Sequence, residues 1–264
     1  MDFSKRYVAI GDSFSEGVGD PDVGRPNGVR GWADRVAEQL CASEADWGYA
    51  NLAIRGRKLP QIVAEQVPRA LELEPTLVTV SAGGNDILRP RVDVDLITQQ
   101  LERALKDLKS TGADVVVFTG FDVSNSGLIS ATLGRVALFN ERLREIADHH
   151  GIVLADYWRW REFQNWGYWD QDRLHMNTAG HTLMATRVLE VLRQEHSIEA
   201  PELQTPAARS RVEELKRNAE WGRTHLVPWI QRRLTGRSSG DGMSPKYPDY
   251  VRLDAGVPEA PGRP

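Results

Sequence analysis

The sequence predicts an α/β protein, a three-layer α/β/α sandwich built around a central parallel sheet. Short apolar runs rich in β-branched residues alternate along the chain with longer stretches whose apolar residues have helical spacing. This alternation is typical of βαβ units, in which helices cover both faces of a parallel sheet. The length of 264 residues allows one large domain, or one domain with an appendage.

The predicted elements follow one another in strand–helix order. Four apolar runs, together with a strand-like stretch just before Asn51, are expected to form strands: 7–10, 77–80, 115–118 and 152–154. Three amphipathic stretches are expected to form helices: 32–40, 97–108 and 136–150. A last helix is expected from a cap at Asn177 or Thr178 to about His196.

The chain after the last predicted helix has a different composition. Prolines from Pro201 onward interrupt the pattern, so we expect a domain over 1–200 and a C-terminal extension over 201–264. The extension is predicted to be helical over 207–235 and an extended coil over 238–264, where five prolines and four glycines occur. Its net charge of +3, against −7 for the preceding residues, predicts that it docks on the core or on a partner.

Composition limits the classes of partner and compartment. With 33 basic and 37 acidic residues the net charge is −4, which argues against nucleic acid as a partner. Cys41 is the only cysteine, so an intramolecular disulfide is excluded and a reducing compartment is expected. No signal-like segment and no apolar run near ~18 residues occurs, so we expect a soluble cytoplasmic protein without a membrane span. The oligomeric state is left open.

The first candidate catalytic residue is Ser13, in the segment GDSFS directly after the first predicted strand. Open α/β sheets bind ligands at the carboxyl ends of their strands, so a nucleophile is expected there. By position alone, Ser13 could equally cap a helix or bond within a turn. The segment does not match G-x-S-x-G, because Ser15 replaces the second glycine. Nor is Gly17-Val18-Gly19 a dinucleotide fingerprint, because position 22 is aspartate.

The second candidate is an acid–base pair just ahead of the last predicted helix. Asp172 precedes His175 by three residues, which lets the carboxylate accept from Nδ1–H and leaves Nε2 free as a general base. An ordinary surface pair is the alternative. Among the nearest other candidates, Asp170 has no such spacing, and His181, inside the predicted helix, is interpreted as structural.

Two further segments offer donors to an oxyanion. Gly56 ends the segment NLAIRG, where a substrate could approach its N–H closely, and Asn85 lies in GGND after a predicted strand. Taken singly, each segment could be an ordinary turn.

Together, GDSFSEG, the glycine after the second strand, GGND and DxxH occur in the order that resembles the SGNH hydrolases, also called the GDSL esterase/lipase family. The resemblance covers roughly residues 6–196, and Phe14 replaces the leucine of GDSL. It implies a flavodoxin-like SGNH hydrolase fold and hydrolysis of small-molecule carboxylic esters or thioesters through an acyl-enzyme, without metal or organic cofactor.

The resemblance also implies a role for each candidate residue. Ser13 would be the nucleophile and, through its N–H, an oxyanion donor beside Gly56 and Asn85; His175 would be the base, supported by Asp172. An acyltransferase that uses an acceptor alcohol instead of water would have the same residues, and the sequence does not separate the two. A non-enzymatic binding protein of this fold would be expected to lack at least one of them.

Two other groups of residues could shape a binding pocket. The segment 157–169 holds four of the eight tryptophans and is expected to form a packed aromatic loop that anchors His175. The alternative is that one or two of its rings also line an acyl or leaving-group pocket. Six arginines flank the candidate motifs and would either be solvated or bind an anionic group of the substrate: Arg25, Arg30, Arg55, Arg57, Arg89 and Arg91.

Overall fold

The computed structural model describes residues 3–124, 126–203, 223–224 and 238–253. Its centre is a six-stranded sheet in the order β5-β4-β3-β1-β2-β6, in which the first five strands along the chain run parallel and β6 is antiparallel to β2. The strands are β1 Lys5–Gly11, β2 Trp47–Asn51, β3 Leu77–Ser81, β4 Asp114–Phe118, β5 Val153–Ala155 and β6 Tyr247–Val251.

Helices cover both faces of the sheet, as the sequence predicts. The α-helices are α1 Ser13–Glu16, α2 Gly31–Ser43, α3 Leu59–Gln61, α4 Val67–Glu72, α5 Gly84–Ile87, α6 Val94–Ser110, α7 Leu133–His150 and α8 Thr178–Val191. A π-helical turn, Ile62–Gln66, joins α3 to α4. One core lies between the sheet and α3, α4, α6 and α7, and the other lies under α2 and α8. Within the described residues, no helix has the length and apolarity needed to cross a membrane.

The predicted strands and helices match the observed ones to within a few residues, apart from the end of α8. Asn177 caps this helix by accepting from the Gly180 N–H. The helix ends at Val191 rather than near His196, because Arg193 adopts a left-handed φ of 55°. The Gln194 N–H then bonds back to the Leu189 carbonyl at 2.9 Å, which closes the helix.

The extended-coil prediction for 238–264 is wrong at Tyr247–Val251, which forms β6. This strand pairs with the edge of β2, with Tyr49 opposite Val251 and Asn51 opposite Tyr247. Pro248 is compatible with the strand because an edge strand can leave a backbone position unpaired. The predicted helical segment 207–235 lies outside the described residues except for 223–224, as do the residues after 253.

A buried ion pair precedes β6. Lys246 Nζ donates to Asp34 Oδ2 of α2 at 2.7 Å, and both side chains are fully inaccessible to solvent. The ammonium also donates to the carbonyls of Glu16, at 3.0 Å, and Arg30, at 2.7 Å. Burial raises the pKa of Asp34 to about 6 against the opposing effect of Lys246, and burial lowers the pKa of Lys246. Residues 238–253 are therefore held against the first two helices by a desolvated charge.

Replacing one partner of this pair should destabilise the protein strongly. Lys246→Met leaves Asp34 buried without its counter-charge, which typically costs about 3–5 kcal/mol. We expect the urea midpoint of Lys246→Met to fall well below that of the wild type. The double variant Lys246→Met/Asp34→Asn should recover part of the loss, and strictly additive effects in this cycle would contradict the pairing.

Candidate active site

The candidate nucleophile stands where β1 turns into a helix. Ser13 is half-buried and is the first residue of α1, and Asp12 caps this helix by accepting from the Phe14 N–H at 3.1 Å. Gly11, with φ 151°, ends β1 so close to β3 that a Cβ there would lie 2.5 Å from the Ser81 carbonyl oxygen. Glycine at this position therefore lets the chain turn tightly and present Ser13 at the sheet's carboxyl edge.

The acid–base pair forms as the spacing predicts. Asp172 Oδ2 lies 2.5 Å from His175 Nδ1, and Oδ1 accepts from the backbone N–H groups of Leu174, at 2.9 Å, and His175, at 3.0 Å. Burial by itself would raise the pKa of Asp172, but these bonds and the adjacent imidazole hold it at about 2. An ionised Asp172 keeps the proton on Nδ1, so that Nε2 is the nitrogen available as a base.

One cavity joins the candidate groups. Ser13, Asn85 and His175 line it together with Asp12, and it holds about 1130 Å³ of empty space including its open mouth. Much of the remaining wall is apolar or aromatic: Phe14, Val18, Ala82, Ile87, Leu88, Phe118, Phe121, Val123, Ile129, Val136, Phe139, Tyr157, Trp169, Leu174 and Met176. Among the described residues, no group of three or more His, Cys, Asp or Glu side chains is placed to hold a metal ion.

The side-chain amide of Asn85 is held in place by two acceptors. Its Nδ2 donates to Asp12 Oδ2 at 3.0 Å and to the Arg57 carbonyl at 3.1 Å. Burial raises the pKa of Asp12 to about 6, with the Phe14 N–H opposing this shift. The amide thus belongs to the same cavity lining as Ser13, with both of its hydrogens bonded to protein acceptors.

Gly56 is the one candidate donor that does not line the cavity. It lies in a turn closed by the Arg57 N–H on the Ile54 carbonyl at 3.3 Å, and its φ of 76° is one that favours glycine. A Cβ at Gly56 would lie 2.1 Å from Ser238 Oγ of the C-terminal segment. The structure therefore brings Ser13, Asn85 and His175 to one cavity and leaves Gly56 outside the cavity lining.

His181 is structural in its contacts, in agreement with the interpretation from sequence. Its Nδ1 accepts from the Trp32 N–H at 3.2 Å, and its Nε2 faces the Val18 carbonyl at 3.1 Å. Burial lowers its pKa to about 4, so the ring is neutral near pH 7. Asp170 does not pair with the His175 ring, since its carboxylate accepts from the Gln171 N–H at 2.8 Å.

Gln66 is a supporting residue that the sequence analysis did not identify. This buried side chain accepts from the Gly11 N–H at 2.8 Å and donates to the Gly11 carbonyl at 2.9 Å. It thereby satisfies both backbone groups at the turn that precedes Ser13. In the sequence, Gln66 is one of two polar residues between Ile62 and Val67, and nothing near it in the chain indicates that its partner is Gly11.

The aromatic segment packs as a series of short 3₁₀ turns beside the cavity. Tyr157 and Trp169 line the cavity, which agrees with the alternative that one or two rings of this segment do so. Trp169 Nε1 donates to the Phe163 carbonyl at 2.7 Å, and a backbone bridge pairs Trp169 with Met176, next to His175. The segment therefore supports the chain on which the histidine is carried.

Phe14 links this aromatic segment to the nucleophile turn. Its ring centroid lies 5.4 Å from those of Trp32 and Phe118 and 5.8 Å from that of Tyr157. The phenylalanine that replaces leucine in GDSL thus packs among three aromatic rings next to Ser13.

The flanking arginines are not part of the cavity lining. In the described part of the chain none of the six lines it, and four form ion pairs with carboxylates: Arg25 and Arg30 with Glu38, Arg55 with Glu16, and Arg57 with Glu65. The hypothesis that they bind an anionic group of the substrate receives no support from this arrangement.

A mostly parallel sheet whose carboxyl edge gathers a serine, an asparagine and an aspartate-paired histidine is the arrangement of the SGNH hydrolases. The family model of GDSL-like lipases and acylhydrolases matches residues 9–183, more than half of the chain. The chain therefore belongs to the GDSL-like lipase/acylhydrolase family and is a serine carboxylic ester hydrolase. No curated protein matches it in sequence.

Solved structures show the same fold at low sequence identity. LAE5, an α/β hydrolase enzyme from the metagenome of Lake Arreo, Spain, is 20% identical, with a TM-score of 0.62 over 75% of this chain and 99% of that chain. TesA is 22% identical, with a TM-score of 0.60 over 72% and 98%. Axe2, an acetylxylan esterase from Geobacillus stearothermophilus, is 17% identical, with a TM-score of 0.61 over 74% and 98%.

The buried His181 should make the protein sensitive to acid. Its pKa is about 4 in the folded state, against ~6.5 for a histidine in an unfolded chain. Between these values the unfolded state binds more protons, so stability falls as pH drops from about 7 towards 4. We expect the loss of Tm between pH 7 and pH 5 to be smaller in His181→Gln than in the wild type. The exposed His149→Gln is the control, and equal losses in all three proteins would refute the assignment.

Proposed function

We propose that the protein hydrolyses carboxylic esters through an acyl-enzyme on Ser13. The observation that carries this proposal is that Ser13, Asn85 and His175 line one cavity while Asp172 bonds the far nitrogen of the imidazole. A serine becomes a useful nucleophile only beside a base that is itself oriented by a third group, and this chain supplies each of the three.

In this mechanism, His175 Nε2 takes the proton of Ser13 Oγ as the oxygen attacks the acyl carbon. The imidazolium, stabilised by the ionised Asp172, then returns the proton to the departing alcohol. Water repeats the sequence on the acyl-enzyme and releases the acid. An alcohol in place of this water would give acyl transfer, and product analysis with added alcohols separates the two outcomes.

Three donors are proposed to stabilise the oxyanion. They are the N–H groups of Ser13 and Gly56 and the side-chain amide of Asn85; Ser13 and Asn85 line the cavity, and Gly56 lies next to it in the chain through Arg57, whose carbonyl accepts from Asn85. Such donors act most strongly when they are fixed before the reaction, because no energy is then spent on reorganising them. The bond from Asn85 to the Arg57 carbonyl supports such a fixed position of the amide, and the hydrogen that Asn85 donates to Asp12 would pass to the oxyanion.

The apolar walls favour an apolar acyl group longer than acetyl. Ile87, Val123, Ile129, Val136 and Phe139 all line the cavity and belong to one hydrophobic cluster, contributed by α5, the chain after β4 and α7. Each methylene buried there would contribute about 0.8 kcal/mol, so binding improves with chain length until the cavity is full. We therefore propose neutral esters of apolar carboxylic acids as the substrate class.

Ser13→Ala should lower ester hydrolysis by several orders of magnitude while leaving the fold unchanged, because only Oγ is lost. A fluorophosphonate probe followed by peptide mapping should modify Ser13 in the wild type. Ser81→Ala is the matched control, since Ser81 lines the same cavity and has no assigned role. Labelling of Ser81 or of the buried Ser15, or near-normal turnover of Ser13→Ala, would overturn the assignment.

Asn85→Ala should lower kcat by about 10²–10³ with little change in KM, because the amide acts mainly on the oxyanion. Steady-state kinetics on a single ester measure both constants, and thermal melting checks the fold. A rise in KM at constant kcat would assign Asn85 to substrate binding instead.

The acyl pocket is tested with a series of 4-nitrophenyl esters from acetate to decanoate. We expect kcat/KM to rise with chain length and then fall, because the apolar wall is finite. Ile129→Trp should move the optimum to shorter chains by filling part of the cavity. Leu138→Trp, on the exposed side of α7, is the control and should leave the optimum in place. A preference for acetate in the wild type would exclude the apolar pocket.

A further inference from the structure

Residues 238–253, which we call the C-terminal strap, touch the loop that carries Gly56. Ser238 Oγ donates to the Arg55 carbonyl at 3.4 Å, and a Cβ at Gly56 would lie 2.1 Å from that Oγ. A Cβ at Gly240 would lie 2.1 Å from the Arg55 carbonyl oxygen. A side chain at Gly240 would therefore have to displace the backbone of the loop, and one at Gly56 would have to displace the Ser238 hydroxyl.

The same loop is tied to the nucleophile helix by a buried carboxylate. Glu16, three residues after Ser13, is fully buried, and its Oε2 accepts from the Arg55 backbone N–H at 2.6 Å. The Arg55 guanidinium pairs with Glu16 Oε1 at 2.7 Å. Through Glu16, a displacement of the loop is transmitted to α1.

The strap holds Glu16 as well. Lys246 Nζ donates to the Glu16 carbonyl at 3.0 Å. Asn27 Nδ2 bridges Glu16 Oε1 and the Ser244 carbonyl, both at 3.1 Å. On the other side of the loop, the Arg57 carbonyl accepts from Asn85. A continuous set of contacts thus runs from the strap through the Gly56 loop to Asn85 and to the helix that begins at Ser13.

We propose that the C-terminal strap is a positioning element of the active site. It keeps the loop 54–57 in place, so that the Gly56 N–H and the Asn85 amide stay aligned with the Ser13 N–H. This inference rests on the oxyanion roles proposed above. The strap lies beyond residues 9–183, the part of the chain that matches the family model.

The physical reason lies in the turn at Gly56. A glycine at positive φ has wide conformational freedom, so the direction of its N–H must be fixed by neighbouring contacts. A misplacement of about 1 Å in a catalytic arrangement can cost about a hundredfold in rate. The contacts at Ser238 and Gly240 supply this constraint.

The test is Gly240→Ala, whose added methyl must push the Arg55 carbonyl. We expect kcat to fall by about ten- to a hundredfold, with KM within about twofold of the wild-type value. The rate of fluorophosphonate labelling at Ser13 should fall in parallel, because the phosphonyl oxygen uses the same donors. Gly134→Ala in α7, where an added Cβ meets open space, is the matched control and should keep the wild-type kcat and labelling rate.

Two further variants separate positioning from stability. Asn27→Gly keeps the positive φ of 59° but removes the bridge between Glu16 and Ser244, and should lower kcat by about three- to tenfold. Tyr250→Phe removes only the bond to the Leu73 carbonyl at the far end of the strap, and should lower Tm without changing kcat.

The outcomes distinguish failure of this inference from failure of the proposed function. The strap has no positioning role if wild-type Ser13 is labelled and both Gly240→Ala and Asn27→Gly keep the wild-type kcat. Thermal melting checks that both variants are folded. If kcat falls in Tyr250→Phe as much as in Asn27→Gly, the effect is one of stability, and the inference is also overturned. If wild-type Ser13 is not labelled, the proposed function itself fails. If Gly240→Ala does not fold, the kcat of Asn27→Gly alone tests the positioning role, and a wild-type value overturns it.

Discussion

The site depends on a close backbone crossing at the end of β1. Gly11 passes so close to the Ser81 carbonyl that there is no room for a Cβ. The side chain of Gln66 bonds both the N–H and the carbonyl of Gly11. Because neither backbone group is left unpaired, the chain can leave the sheet within one residue and begin α1 at Ser13. The positions of the histidine and the amide have a functional meaning only relative to this turn.

Two carboxylates near Ser13 have opposite electrostatic environments. Asp172 accepts two backbone N–H groups and the imidazole, and its pKa is held at about 2. Asp12, deeper and facing mainly an amide, has its pKa raised to about 6 by burial. The first is therefore a permanent counter-charge for an imidazolium, whereas the second is close to titration under mildly acidic conditions. Such separation of neighbouring carboxylates is a common feature of catalytic sites.

Local patterns in the sequence were sufficient to predict the five parallel strands, the helices that cover them and the Asp172–His175 pair, since each depends on spacing within a few residues. Features that depend on distant partners were not predictable. From the sequence, Lys246 would be taken as an ordinary surface lysine, because its partner Asp34 lies 212 positions earlier in the chain. The sequence of β6, YPDYV, contains a proline, an aspartate and two tyrosines, which do not form an apolar strand pattern. It becomes a strand because it pairs with the free edge of β2.

The position of the C-terminal strap has a consequence for biosynthesis. A ribosome delivers β2 and Asp34 about two hundred residues before the strand and lysine that complete them. Until then, the nascent chain carries an open sheet edge and a carboxylate without its counter-charge, both of which favour association with other chains. The sheet edge and the buried ion pair are thus completed only after residues 246–251 have been synthesised, which makes them late events in the folding of the domain.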